Sequence, residues 1–163
     1  MSEPNEKVTA LYGHKLRVRV CGVCIENNKI LLVHHKGLGK HNSLWAPPGG
    51  GMVYGEDAKE ALKREFMEET GLSITIERFL FIHEHLSPPF HGIELFFEVK
   101  RTGGVLKKGY DPEMDMDDQL ITETSFKDLD LLKSQVPDSL HYVLQKINDL
   151  NSVINQSGYF KYH

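Results

Sequence analysis

The chain has 163 residues and a formal net charge of −4, from 19 lysines and arginines against 23 aspartates and glutamates. This length suffices for one domain with a sizeable core and is short for two. The mild acidic excess argues against a protein that binds a nucleic acid polymer or a membrane surface, and no apolar run approaches the roughly 18 residues of a membrane span. Two cysteines and an amino terminus without an apolar leader predict a reduced, cytoplasmic protein.

The first third of the sequence predicts strands that lead into a glycine-rich turn. Apolar and polar residues alternate from Leu16, and the apolar run Ile30-Leu31-Leu32-Val33 follows the turn at Asn27-Asn28, so residues 16–35 are predicted to form a β-hairpin. Residues 36–43 are predicted to form a loop. The segment that follows, Trp45-Ala46-Pro47-Pro48-Gly49-Gly50-Gly51, combines prolines that fix φ with glycines that tolerate positive φ.

A helix is predicted to follow this turn. Glu56 and Asp57 stand at its start, where carboxylates favour the positive end of the helix dipole. Residues 58–69 are mostly good helix formers. Gly71 is predicted to end the helix as a left-handed cap residue.

The second half predicts strands, an acidic loop and a final helix. Residues 73–85 and 93–99 are predicted strands, joined as a hairpin by a wide loop. Residues 101–118 form an acidic loop, and residues 120–124 a short strand. The apolar spacing over residues 137–150 is typical of an amphipathic helix.

These elements predict one domain flanked by two segments. The domain is placed at residues 16–150. An N-terminal segment covers residues 1–15, and a C-terminal tail covers residues 151–163. No internal repeat or low-complexity linker divides the chain.

Three carboxylates share one side of the predicted helix. At about 100° per residue, Glu65, Glu68 and Glu69 lie within an arc of about 100°. No lysine or arginine follows them at i+3 or i+4, so each like-charge pair costs roughly 0.2–0.5 kcal/mol in an isolated helix. Mg²⁺ or Mn²⁺ would reverse this cost, because these ions prefer oxygen ligands and Mg²⁺ often retains a substrate phosphate in its shell. The pattern therefore indicates a metal site for a phosphate-containing substrate, with a solvated acidic face as the alternative.

The spacing around these glutamates resembles a known signature. From its first glycine the segment reads G-x₅-E-x₇-R-E-x₂-E-E-x-G followed by an apolar residue. Over residues 50–72 this is similar to the signature of the Nudix hydrolase family, and all seven positions that demand one residue type match. Phe66 is the one departure, being aromatic where the family usually has an aliphatic residue.

The resemblance implies an α/β fold, a Nudix-type α/β/α sandwich around a mixed β-sheet. It implies an enzyme that cleaves a nucleoside diphosphate linked to another moiety, with water attacking a phosphorus at a metal site formed by glutamates. The implied cofactor is Mg²⁺ (or Mn²⁺). The implied partner is a small-molecule nucleotide substrate, and homodimers are common in the family.

Residue roles follow from the family positions. Glu65, Glu68 and Glu69 are implied metal ligands, with a backbone carbonyl contributed at Gly50. Glu65 and Glu68 are also assigned to catalysis together with Arg64, which pairs with the glutamates and orients them. The general base stays open between Glu65 and a carboxylate of a later loop, for which the candidates are Glu113, Asp115, Asp117, Asp118 and Glu123.

Two further residues of the signature are assigned to its support. Glu56 is expected to hold the junction between the loop and the helix. Gly71 is expected to support the end of the helix. Both assignments rest on their positions in the signature.

Four residues outside the signature are assigned to substrate binding: Arg19, Trp45, Pro88 and Phe90. Pro88 lies 16 residues beyond Leu72, an offset that resembles ADP-ribose pyrophosphatases, and a plain turn proline is the alternative. The rings of Trp45 and Phe90 are candidates for stacking on a base, with core packing as the alternative for Trp45. ADP-ribose or a nucleotide sugar is the favoured substrate. Hydrolysis of oxidised nucleoside triphosphates and a non-catalytic Nudix ligand sensor are the alternatives.

Cysteine and histidine pairs are the remaining signals. Cys21 and Cys24 would point to opposite faces of a strand, so no metal pair is predicted there. His83 and His85 share one strand face and are candidates for a transition-metal site or, with His91, for contact with phosphate. A satisfied or solvent-facing histidine pair is the favoured interpretation.

Overall fold

A computed structural model describes residues 6–162 of the chain. Its helices and strands, in chain order, are α1 (Glu6–Tyr12), β1 (Leu16–Val23), β2 (Ile25–Glu26), β3 (Lys29–Lys36), β4 (Ser43–Ala46), β5 (Gly49–Gly51), α2 (Ala58–Thr70), β6 (Leu72–Ser87), β7 (Phe90–Gly104), β8 (Ile121–Lys127), α3 (Leu129–Ser134), α4 (Asn151–Ile154) and β9 (Gly158–Tyr162). Short 3₁₀ turns lie at Met116–Asp118, Pro137–Ser139 and Tyr142–Leu144. Over residues 6–162, no helix has the length and apolar character needed to cross a bilayer.

The strands form two sheets. The larger sheet has the order β5-β1-β7-β6-β9. It is mixed, since β1 runs parallel to β7 and β6 runs parallel to β9, whereas β5 and β1, and β6 and β7, are antiparallel. In the second sheet, β3 pairs antiparallel with β2, β4 and β8. The predicted α/β class with a mixed sheet is confirmed.

Strand β1 does not form the predicted hairpin over residues 16–35. Only β2 returns onto β3, through a turn in which Asn27 and Asn28 both have positive φ, as a two-residue hairpin turn requires. β1 instead lies between β5 and β7. Because both of its hydrogen-bonding edges are occupied there, it has none left for β3.

The hairpin predicted from residues 73–85 and 93–99 is present, with longer strands. β6 and β7 pair from Leu72↔Gly104 to Ser87↔Phe90. The connection is therefore the two prolines 88 and 89 rather than a wide loop. The first residues of the predicted acidic loop belong to β7, because pairing with β6 continues to Gly104.

Helix α2 begins and ends as its sequence predicts. The Asp57 side chain accepts hydrogen bonds from the amides of Lys59 and Glu60, and the Glu60 carboxylate accepts one from the Asp57 amide. This is a capping box, which satisfies amides that the helix itself leaves unpaired. Gly71 closes the other end at φ 72°, and its amide donates to the Met67 carbonyl.

The core lies on both faces of the larger sheet. On one face, Phe66 and Leu62 of α2 pack against Val20 and Val99. Phe66 reaches β1 because Gly22 has no side chain, and any Cβ there would collide with the ring. On the other face, Phe81 and Phe96 meet the C-terminal part of the chain through residues that include Leu140, Val143, Leu144, Leu150 and Val153.

The helix predicted over residues 137–150 is wrong. The segment holds two separate 3₁₀ turns. Between them the chain runs beside β4, where Leu140 bridges to Trp45 and the His141 amide donates to the Trp45 carbonyl at 2.8 Å. These tertiary hydrogen bonds replace the helical ones, while the apolar side chains are still buried as the pattern requires.

Segments outside residues 16–150 pack against this body. Val8 of α1 is buried beside Met114 and Leu120. β9 adds the edge strand next to β6, and Phe160 contacts the core. Residues 1–5 of the predicted N-terminal segment lie outside the described residues.

Candidate active site

The glycine turn and helix α2 meet at the candidate site. β5 is held against β1 by the pairs Val20↔Gly50 and Cys21↔Gly49. The Gly49 amide donates to Glu69 Oε2 at 2.9 Å. A Cβ at Gly50 would collide with the Glu65 carboxylate. The turn therefore lies directly over two of the three clustered glutamates, and only glycine leaves room there.

Arg64 organises the carboxylates around it. Its Nε and Nη2 donate to the two oxygens of Glu56 at 3.1 and 2.7 Å, and its Nη1 donates to Glu65 at 2.8 Å and Glu68 at 3.1 Å. Nη2 also donates to the Gly51 carbonyl at 3.1 Å. A planar guanidinium is suited to several simultaneous contacts of this kind. Arg64 thus links the glycine turn to two clustered glutamates.

The cluster carries more negative charge than its protein partners neutralise. Burial and the neighbouring Glu69 carboxylate raise the pKa of Glu65 to about 7, although Arg64 acts in the opposite direction. Burial also raises the pKa of Glu68. The hydrogen bonds from Arg64 lower the pKa of Glu56. Arg64 therefore stabilises the charged form of Glu56. Burial disfavours the charged forms of Glu65 and Glu68, and a bound cation would offset that cost.

These residues fit a hard divalent cation. Glu65, Glu68 and Glu69 offer carboxylate oxygens from consecutive turns of α2, and the missing side chain of Gly50 gives the Glu65 carboxylate its place against the turn. Oxygen donors are what Mg²⁺ and Mn²⁺ prefer. The clustered negative charge and the oxygen donors therefore both favour a hard divalent cation.

The acidic loop also reaches this site. The amides of Gly109 and Tyr110 donate to the Glu69 and Glu68 carbonyls at 3.0 and 3.3 Å, and the Asp111 charge contributes to the raised pKa of Glu68. Sequence reasoning passed over Asp111 because the approach depends on backbone hydrogen bonds. The Tyr12 hydroxyl donates to both Asp111 and Glu113, at 3.2 and 3.1 Å, whereas Asp118 pairs with Lys7 and Glu123 with Lys127.

Three of the residues assigned to substrate lie among apolar or packing contacts. The Trp45 ring contacts His34 and has the Lys127 ammonium over its face, at 4.7 Å in each case. Phe90 packs against the small cluster that contains Val8. Pro88 forms part of the turn between β6 and β7. The contacts of these residues join sheet edges and loops rather than the glutamate cluster.

Arg19 lies closer to the cluster. It is the cross-strand neighbour of Gly51 on one side and of Glu94 on the other. Burial lowers the pKa of its guanidinium, but the charge of Glu94, with contributions from Glu69 and Glu65, raises it overall. The charges of the buried Glu94 carboxylate and of two candidate metal ligands therefore both act on Arg19.

A cavity of about 290 Å³ opens beside the glycine turn. Tyr12, Lys15 and Arg17 line it together with Gly51 and Met52. The Arg17 guanidinium lies 4.0 Å from the centre of the Tyr12 ring. The cavity thus offers two cationic side chains, one aromatic ring and the Glu113 carboxylate beside the glycine turn.

Comparison with known proteins identifies the family. The NUDIX domain model matches residues 14–139, so the chain belongs to the Nudix family of hydrolases. It is 37% identical over 103 residues to an ADP-ribose pyrophosphatase of Methanocaldococcus jannaschii, a match that covers 62% of this chain and 60% of that protein. It is 35% identical over 79 residues to a putative 8-oxo-dGTP diphosphatase of Bacillus subtilis, covering 48% and 49%.

The fold agrees with this membership. The structure of a MutT NUDIX hydrolase from Burkholderia pseudomallei superposes with a TM-score of 0.62 at 21% identity, over 87% of this chain and 98% of that one. The chain spans only about half to three fifths of the length of the two curated relatives. The resemblance to the Nudix family recognised in the signature is confirmed.

Proposed function

We propose that this protein is a metal-dependent pyrophosphohydrolase that cleaves a nucleoside diphosphate linked to another moiety. The observation that carries the proposal is the set of Glu65, Glu68 and Glu69 on one side of α2, with Arg64 between the cluster and the glycine turn. Glu65, Glu68 and Glu69 hold Mg²⁺ or Mn²⁺, and the Gly50 carbonyl completes the protein's share of the ligands.

The chain's own residues divide the remaining work. When bound, the cation neutralises the diphosphate and lowers the pKa of the attacking water. Arg64 fixes the carboxylates of Glu65 and Glu68 through its hydrogen bonds, so that their free oxygens keep one orientation. Glu65 or a carboxylate of the acidic loop accepts the proton of the attacking water, the protein's acid–base contribution to the reaction. Glu56 keeps Arg64 in place.

ADP-ribose or a nucleotide sugar is the substrate class we favour. The similarity to an ADP-ribose pyrophosphatase supports it. Arg19, beside the cluster, binds the diphosphate, and the cavity lined by Lys15 and Arg17 takes the second, phosphorylated moiety. Trp45, Pro88 and Phe90 remain proposed contacts for the rest of the substrate.

A second candidate function is hydrolysis of oxidised nucleoside triphosphates. It is favoured by the similarity to a putative 8-oxo-dGTP diphosphatase. The same glutamate cluster would serve it, because both substrate classes present a pyrophosphate to the metal site. The two functions differ only in what the rest of the substrate contacts.

A substrate panel tests these proposals. Purified protein is given ADP-ribose, other nucleotide sugars, dinucleoside polyphosphates, NADH, dNTPs and 8-oxo-dGTP with Mg²⁺, Mn²⁺ or EDTA, and products are separated by chromatography. We expect metal-dependent release of a nucleoside monophosphate and a sugar phosphate from ADP-ribose. Preference for 8-oxo-dGTP would support the second candidate, and silence across the panel by folded, Mn²⁺-binding protein would favour a ligand sensor.

A variant of one metal ligand tests the site itself. Glu69→Gln removes one carboxylate charge with little change in volume, and we expect it to lose at least about a hundredfold in kcat, the scale on which electrostatic groups of active sites act. Glu77→Gln is the matched control, because Glu77 pairs with Lys100 at 3.6 Å on the exposed side of β6. Wild-type turnover by Glu69→Gln would contradict the assignment of the metal site.

A further inference from the structure

A buried polar cluster crosses the larger sheet beside the candidate active site. Arg19, Glu94 and His83 are direct cross-strand neighbours on β1, β7 and β6. His141 reaches the same carboxylate from the C-terminal segment. Glu94 retains 6% of its accessible surface and His83 none. A charged group placed this deep costs several kcal/mol unless partners compensate it.

The partners of Glu94 divide between its two oxygens. Oε1 interacts with His83 Nδ1 at 2.7 Å and with His141 Nε2 at 2.8 Å. Oε2 accepts a hydrogen bond from the Cys21 thiol at 3.5 Å and faces the Nε of Arg19 at 3.5 Å. Histidine therefore holds one oxygen, and the other is directed at Arg19.

The cluster has the residue types of a transition-metal site, but its geometry favours hydrogen bonding. Both histidine nitrogens lie at hydrogen-bond distance from the same Glu94 oxygen. Ligand atoms around a zinc ion at about 2.0–2.1 Å each stand farther apart than this. The Arg19 guanidinium on the other side of Glu94 would also repel a cation.

Arg19 connects the cluster to the glutamates. One third of its side chain is accessible, whereas its Nε is buried. The charges of Glu65 and Glu69 also act on its guanidinium. Gly51, directly after the metal-site glycine, is its cross-strand neighbour. Arg19 thus forms an ion pair with a fixed carboxylate on β7, although its buried Nε makes no hydrogen bond, and it lies on the strand that pairs with the glycine turn.

We propose that Glu94, held by His83 and His141, is a positioning residue that fixes the guanidinium of Arg19 for binding the diphosphate of the substrate. The inference rests on the proposed function, because it assigns a role to Arg19 in that reaction. The flexible side chain of an arginine loses rotamer freedom when it binds a phosphate. Glu94 removes part of that cost beforehand, since it holds the side chain in one orientation.

The residues of the cluster belong to a row that crosses the larger sheet. The row Gly51, Arg19, Glu94, His83 runs over four adjacent strands, from β5 to β6. His141 ties this row to β4, because its amide donates to the Trp45 carbonyl. The orientation of Arg19 therefore depends on contacts from both sheets.

A double-mutant cycle tests the proposal. Steady-state hydrolysis of ADP-ribose, and Mg²⁺-dependent binding of ADP by calorimetry, are measured for wild type, Glu94→Gln, Arg19→Gln and the double variant. We expect Arg19→Gln to lower kcat/KM roughly 10- to 100-fold, the worth of one or two charge-assisted hydrogen bonds. Glu94→Gln should raise KM by about tenfold with a smaller effect on kcat, and it should add nothing in the Arg19→Gln background.

The matched control is Glu98→Gln, which removes a carboxylate from the same strand. Glu98 accepts a hydrogen bond from Arg78 Nε at 2.7 Å, on an exposed part of the sheet. Its KM and ADP affinity should equal those of wild type. Thermal unfolding of every variant, and Arg19→Lys as a variant that keeps the charge, separate a loss of folding from a loss of orientation.

The outcomes are distinct. Equal losses from Glu94→Gln in the wild-type and Arg19→Gln backgrounds would overturn the proposal, because the effect would then not pass through Arg19. Stoichiometric zinc in the purified protein that disappears in Glu94→Gln would overturn it in favour of a metal site. Absence of hydrolysis by wild type would instead contradict the proposed function, and the ADP-binding cycle would still decide the role of Glu94.

Discussion

Single residues determine whether the glutamate cluster can form. Helix periodicity places Glu65, Glu68 and Glu69 on one side of α2. The positions of their carboxylates also depend on neighbours outside the helix, which a helical wheel does not show. Gly50 leaves room for the Glu65 carboxylate, and the Gly49 amide donates to Glu69. The glycines of the turn therefore belong to the site as much as the charged groups do.

Gly50→Ala is expected to damage the site with little effect on the fold. Its Cβ would collide with the Glu65 carboxylate, which must then move, and displacement of a ligand by about 1 Å can cost on the order of a hundredfold in rate. Turnover and Mn²⁺ affinity are the measurements. Gly103→Ala is the control, because no atom lies within 4 Å of its added Cβ. Equal activity of the two variants would contradict the steric argument.

At the scale of elements, local caps fix the bounds of one helix, whereas tertiary hydrogen bonds decide the conformation of another segment. Helix α2 carries its own start and stop in the capping box and in Gly71, so its bounds were predicted to within a residue. The segment 137–150 has helical apolar spacing but no comparable cap. Hydrogen bonds to β4 turned it into short 3₁₀ turns. The apolar periodicity therefore predicted which side chains are buried. It did not predict the backbone conformation of the segment.

The capping box of α2 predicts a measurable loss of stability. Asp57→Ala removes the acceptor for two amides of the first turn and should lower the free energy of unfolding by about 1 kcal/mol. Urea unfolding measures this. Asp57→Asn keeps an acceptor and should stay close to wild type. An Asp57→Ala protein as stable as wild type would show that other contacts hold the start of the helix.

The C-terminal strand offers a second test at this scale. A chain that ends at residue 150 loses β9, five residues paired with β6, and the buried Val153. Burial of one such apolar side chain is worth about 1.5–3 kcal/mol, so we expect at least this loss in urea unfolding. A chain that ends at residue 162 is the control. Unchanged stability after truncation at residue 150 would support a domain boundary there.

On the scale of the whole molecule, elements that are distant in sequence meet at one charged region. α2 supplies the glutamates, β1 supplies Arg19, and the acidic loop after β7 comes back to the end of α2. Repulsion among the carboxylates there opposes folding, and a bound cation would remove this cost. Metal binding and stability should therefore be coupled.

Metal removal tests this coupling. A cation that binds only the folded state at 100 times its Kd adds about 2.7 kcal/mol, and each kcal/mol shifts Tm by about 2–4 °C for a chain of this size. We expect Mn²⁺ to raise Tm by several degrees relative to EDTA. Glu69→Gln should lose most of this shift and Glu77→Gln none. An equal shift in both variants would place the cation elsewhere.

The sequence by itself determined the local features of helix α2 and of the turn before it. Its caps, its face of three glutamates and the glycine turn before it are local features, because each depends on residues within one or two turns. The family followed from this spacing, and the matching NUDIX domain confirmed it. The residues outside this stretch were harder to assign because Trp45 and Phe90 are equally suited to packing and to stacking.

Only the tertiary structure decided which distant residues join the helix. β1 leaves its predicted hairpin to lie between β5 and β7, and this places Arg19 beside Glu94. His141 comes from a segment 47 residues beyond Glu94. Strand order and long-range hydrogen bonds depend on how all the apolar faces are buried at once, a condition that no local stretch of sequence contains.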